Sequence, residues 1–91
     1  MTTKERAALK GQAMMIEPIF QIGKNGATPE IVRAIDEAFN TRELIKISVL
    51  KNCVHDPKEL AYVISERTRS QVVQVIGKKI VLYKKLEEKK K

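Results

Sequence analysis

One cysteine, Cys53, cannot form a disulfide within the chain, a composition suited to a reducing compartment. Aromatic side chains are almost as scarce, since Phe20, Phe39, Tyr62 and Tyr83 are the whole set and there is no tryptophan. Proteins that stack bases usually gather aromatics on an open face, so recognition of a nucleic acid here would lean on backbone and shape. No apolar run approaches the roughly 18 residues that span a bilayer. The N-terminus Met1-Thr2-Thr3-Lys4-Glu5-Arg6 has no apolar block behind it of the kind a secretory signal needs. The expectation is a cytoplasmic protein without a membrane partner. The single histidine, His55, stands two residues from Cys53, and two ligands are too few for a zinc site. Asp56 beside it is better explained as a helix cap than as a catalytic partner. No carboxylate pair has a spacing suited to acid–base work. Nothing points to an enzyme, a cofactor or a small-molecule substrate, and nothing fixes an oligomeric state.

Positive charge is what the chain has in excess. Eighteen Lys and Arg stand against eleven Asp and Glu, a net +7. Part of the surplus lies in the C-terminal run, but residues 1–83 still hold thirteen basic and nine acidic side chains. A basic folded part is the footprint of a surface that binds polyanions. Ninety-one residues make one domain, assigned to 1–84, with a Lys/Glu-rich tail at 85–91 whose composition predicts disorder.

Periodicity divides this domain into seven elements. Residues 3–16 have a helical apolar face of Leu9, Ala13 and Ile16, ended by Pro18. Residues 19–22 form a short strand running into glycine. Thr28-Pro29-Glu30 starts a second helix, with a hydroxyl cap, proline at the first helical position and an acid at the positive end of the dipole. Its core stripe is Ile31, Ala34, Ile35, Ala38 and Phe39. Residues 44–50 alternate as a half-buried strand. Asp56-Pro57-Lys58-Glu59 has the capping-box pattern, and Leu60, Ala61 and Ile64 supply the apolar stripe of a third helix. Strands at 71–76 and 80–83 are joined through Gly77-Lys78-Lys79 as a hairpin. The order α-β-α-β-α-β-β predicts an α/β two-layer sandwich with a four-stranded mixed sheet. Ile45, Ile47, Val49, Val73 and Val75 are assigned to the helix-facing side. Lys46, Ser48, Val72, Gln74 and Ile76 fall on the other, which the first helix partly covers.

The informative segment is Gly23-Lys24-Asn25-Gly26, between a strand and a well-capped helix. Glycines three apart allow positive φ and leave no side chain in the way of an approaching backbone. N–H groups of the loop and of the helix start, where Thr28 stands, can face one anion. Lys24 adds a mobile cation, and Asn25 a donor. A GxxG alone often marks only a tight turn. With its lysine, the helix start and a basic chain it resembles the loops that clamp nucleic-acid backbone in KH domains.

Pro18-Ile19-Phe20-Gln21-Ile22-Gly23-Lys24-Asn25-Gly26 followed by Thr28 resembles the signature of the CRM domain, the YhbY-like RNA-binding family. The resemblance extends through Glu43-Leu44-Ile45-Lys46-Ile47 and Val73-Gln74-Val75-Ile76-Gly77 to Leu82-Tyr83. Two departures are Lys84, where the family often has arginine, and Arg69, where it often has a small residue. The resemblance implies a fold similar to the C-terminal domain of translation initiation factor three. It also implies RNA as partner, with ribosomal RNA and large-subunit assembly as the setting of the stand-alone bacterial form. Lys10, Arg33 and Lys46 are further candidate phosphate contacts on the basic-patch argument, while Lys78 and Lys79 are assigned to the hairpin turn. Composition alone leaves a DNA-binding or architectural protein open, since both nucleic acids offer phosphates.

Overall fold

Each helix begins on an oxygen-bearing side chain. In the computed structural model, which describes residues 2–85, α1 (Thr3–Ala13) opens on a full capping box. The Thr2 hydroxyl accepts from the Glu5 N–H at 3.1 Å, and Glu5 Oε1 accepts from the Thr2 N–H at 3.0 Å. Helix α2 (Pro29–Ala38) starts with the Thr28 hydroxyl accepting from the Ile31 N–H at 3.2 Å. Helix α3 (Pro57–Thr68) starts with Asp56 Oδ1 accepting from the Lys58 N–H at 3.2 Å. Only the Asp56 half of the box expected there forms; the Glu59 side chain lines a groove instead. Four strands, β1 (Phe20–Ile22), β2 (Leu44–Val49), β3 (Gln71–Ile76) and β4 (Lys79–Tyr83), complete the expected order. They align as β1-β2-β4-β3, with β1 parallel to β2 and both β4 pairings antiparallel. The sheet is mixed, as predicted. No helix among the described residues is long and apolar enough to cross a membrane.

The main core lies between the sheet and α2 and α3. Ile35 of α2, Phe39 at its C-cap, and Leu60, Ala61 and Ile64 of α3 bury against Ile22, Ile45, Ile47, Val49, Ile80 and Leu82. A smaller cluster on the other face joins Ala13 to Val73 and Val81, with Leu9, Leu44 and Tyr83 beside them. Helix α1 therefore covers that face in part. Two expected assignments, Val72 and Val73, are reversed. Val72 pairs with Leu82 and Gln74 with Val81, so Val73 is the extra residue of a β-bulge. The bulge interrupts the alternation: Val72 and Val75 pack on the α2–α3 core, while Val73 turns to α1.

Three cations satisfy backbone carbonyls that these irregularities leave over. Arg6 Nη1 donates to the carbonyls of Val72 and Val73 at 3.2 and 3.0 Å, stitching α1 to the bulge. Lys46 Nζ donates to Ala13 O at 3.2 Å and Ile16 O at 3.5 Å. The first helix ends at Ala13 rather than 16, and a strand lysine serves its last carbonyl and that of Ile16 just beyond it. Lys84 Nζ donates to Thr68 O at 2.7 Å and lies 3.8 Å from Asp36 Oδ1, tying the ends of α2 and α3. Arg69, one of the departures noted above, caps α3 in the left-handed region at φ 59°. Apart from Lys85, the tail assigned to 85–91 lies outside the described residues.

Candidate nucleic-acid interface

The glycine loop leaves β1 at the end of the sheet from which both α2 and α3 start. Its turn is closed by the Gly26 N–H donating to Gly23 O at 3.0 Å, and the Thr28 N–H donates to Gly26 O at 3.0 Å. The N–H groups of Lys24 and Asn25 have no partner among the described residues, and both side chains are exposed. The amides left unengaged in the loop are thus those of the turn itself, just ahead of the α2 terminus in the chain.

The two glycines have different reasons to be there. Gly26 is buried at φ +69°, and a Cβ on it would stand 2.7 Å from His55 Cδ2 and 3.0 Å from Nε2. Turn geometry and a packed imidazole both demand glycine. At Gly23 an added Cβ would meet Asn52 Oδ1 at 3.7 Å and Leu50 Cδ1 at 3.9 Å, ordinary contacts. Nothing inside the fold requires Gly23 to lack a side chain.

Strand register brings two more loops to the same place. Ile22 pairs with Val49, Ser48 with Lys79, and Ile76 with Lys79. The Leu50 N–H donates to Ile22 O at 2.8 Å and the Val49 N–H to Lys78 O at 2.7 Å. The glycine loop, the 50–56 connection and the β3–β4 turn therefore line one edge of the molecule. Lys24, Lys51, Lys78 and Lys79 are all exposed there. Gly77 takes positive φ, 54°, at the first position of the two-residue turn, where a hairpin favours glycine. Sequence periodicity put Lys78 and Lys79 in a turn without linking them to the loop, and missed Lys51, Asn52 and His55. Only the pairing of distant strands joins these residues.

The remaining candidates spread out. Lys10 is exposed on α1, on one side of the sheet, and Arg33 is exposed on α2, on the other. The Lys46 ammonium is engaged by the carbonyls that end α1. Cys53 is buried, its thiol 3.9 Å from His55 O, so it packs the 50–56 connection. Tyr62 is exposed and hydrogen-bonded to Glu66 one turn on, a carboxylate that raises the phenol's pKa. Among the described residues no three His, Cys, Asp or Glu side chains group as metal ligands.

Comparison with known proteins fits this architecture. Residues 1–84 match the model of the CRS1/YhbY (CRM) domain. The chain is 44% identical over 90 residues to the "Probable RNA-binding protein YqeI" of Bacillus subtilis, covering 99% of this chain and 94% of that one. It is 34% identical to an "RNA-binding protein" of Haemophilus influenzae, covering 99% and 91%. A solution structure of a hypothetical protein from Staphylococcus aureus superposes with a TM-score of 0.80 at 48% identity, covering 93% of this chain and 88% of that one. The chain belongs to the CRS1/YhbY (CRM) domain family.

Proposed function

We propose that this chain is a non-catalytic RNA-binding module that grips the phosphate backbone with the Gly23-Lys24-Asn25-Gly26 loop, backed by the positive end of α2 that Thr28 caps. The carrying observation is the convergence of that loop with two lysine-bearing connections at one edge of the sheet. Unengaged amides at Lys24 and Asn25 and the positive end of α2 favour an anion. Lys51, Lys78 and Lys79 extend the site across two to three strand spacings, roughly 10–14 Å, enough for successive phosphates of one strand. Relatives named as RNA-binding proteins support RNA as the polyanion. Ribosomal RNA, during assembly of the large subunit, is the setting this reading favours. Lys10 and Arg33 are outlying contacts at most, and Lys46 holds α1.

Replacing Lys24 by Ala tests the loop. RNA affinity falls, and the slope of log K against log salt becomes shallower by about 0.7–0.9, one phosphate contact. Unchanged affinity and slope would leave the loop a turn and nothing more. Crosslinking in cells followed by sequencing tests the setting: large-subunit precursor RNA supports it, and enrichment of chromosomal DNA overturns it.

A further inference from the structure

A groove runs from the glycine loop along α3, and its chemistry is not that of a second phosphate seat. It is lined by Asn25 and Ala27 at the loop, by His55, and by Glu59, Leu60 and Val63 of α3. Leu60 is buried and Ala27 and Val63 are half-buried, so the floor is apolar. Glu59 is exposed at the rim. Its carboxylate repels a phosphate but accepts a hydrogen bond from an amino or imino N–H. His55 presents a flat, exposed ring packed against Gly26. An apolar floor, a planar π-system and one rim acceptor suit a heterocycle better than an anion. The groove is also continuous with the loop, because Asn25 and Ala27 belong to both.

We infer that this groove takes one unpaired RNA base, the neighbour of the phosphate held by the loop. The base lies over Ala27, Leu60 and Val63, stacks on His55 and donates from its edge to Glu59. The inference rests on the RNA-binding reading of the loop and adds a preference to it. At the 4-position cytosine offers an amino donor where uracil carries a carbonyl oxygen, so Glu59, meeting the base at that position, favours cytosine over uracil.

The test is fluorescence anisotropy of the full chain with oligocytidylate and oligouridylate of equal length. Wild type binds the cytosine oligomer roughly 5- to 10-fold tighter, about the net worth of one hydrogen bond at a solvent-exposed rim. Glu59→Gln, which keeps the shape and can donate to the uracil carbonyl, brings the two within about 2-fold. His55→Ala weakens both by on the order of tenfold, the loss of one stacked base, and leaves the salt slope unchanged. Both substitutions fall on exposed side chains, and circular dichroism checks that the fold is kept. If the two oligomers bind alike and Glu59→Gln changes nothing while Lys24→Ala still weakens binding, the groove holds some other occupant and this inference alone falls. If Lys24→Ala also has no effect, the loop reading fails and takes the groove with it.

Discussion

At Gly26 two demands coincide. A Cβ there enters the left-handed region at a cost of about 1–2 kcal/mol, and it also strikes the His55 ring. Gly26→Ala therefore lowers the melting temperature by roughly 5–15 °C for a chain of this size. Adding His55→Ala recovers the part due to the clash, and thermal unfolding of the single and double variants measures the division. Gly23 makes no such demand, so Gly23→Ala leaves the melting temperature almost unchanged and is the cleaner probe of close RNA approach. The loop pattern itself was legible in the sequence. The unequal roles of its glycines were not, because one depends on a side chain twenty-nine residues further on.

Helix and strand positions followed from local signals. Thr28-Pro29 and Asp56-Pro57 set the starts of α2 and α3 where the structure has them, because capping and proline geometry act within a single turn. Two features escaped. The bulge at Val73 inserts one residue in β3, and strict alternation then misplaces Val72 and Val73. The carbonyl that closes α1 accepts from Lys46, more than thirty residues away. Between Ile45 and Ile47 that lysine looks like an ordinary solvated strand position, yet its ammonium bonds to carbonyls at the end of α1. Lys46→Met, which keeps the aliphatic stem, removes the donor and costs about 1.5–3 kcal/mol of stability by denaturant unfolding. It leaves the salt slope of RNA binding where it was. A shallower slope with unchanged stability would instead make Lys46 a phosphate contact.

Across the whole molecule the charge is distributed by topology. Lys24, Lys51, Lys78 and Lys79 meet at the end where α2 and α3 begin, whereas Arg42 and Arg67 lie toward the opposite end. Replacing Lys51 and Lys78 together by Ala weakens RNA binding and makes the salt slope shallower by about 1.4, two single-strand contacts. The paired substitution of Arg42 and Arg67 moves neither appreciably. Equal effects from both pairs would mean a diffuse electrostatic attraction with no defined edge. The amino-acid sequence by itself determined the seven elements, the mixed sheet, the glycine loop and the basic balance, since these follow from period, caps, turns and composition within short windows. Tertiary structure alone decided which loops share an edge, which lysines are used up as caps, and that His55 packs on Gly26. Those outcomes are set by pairing between strands far apart in the chain, whose register no local pattern records.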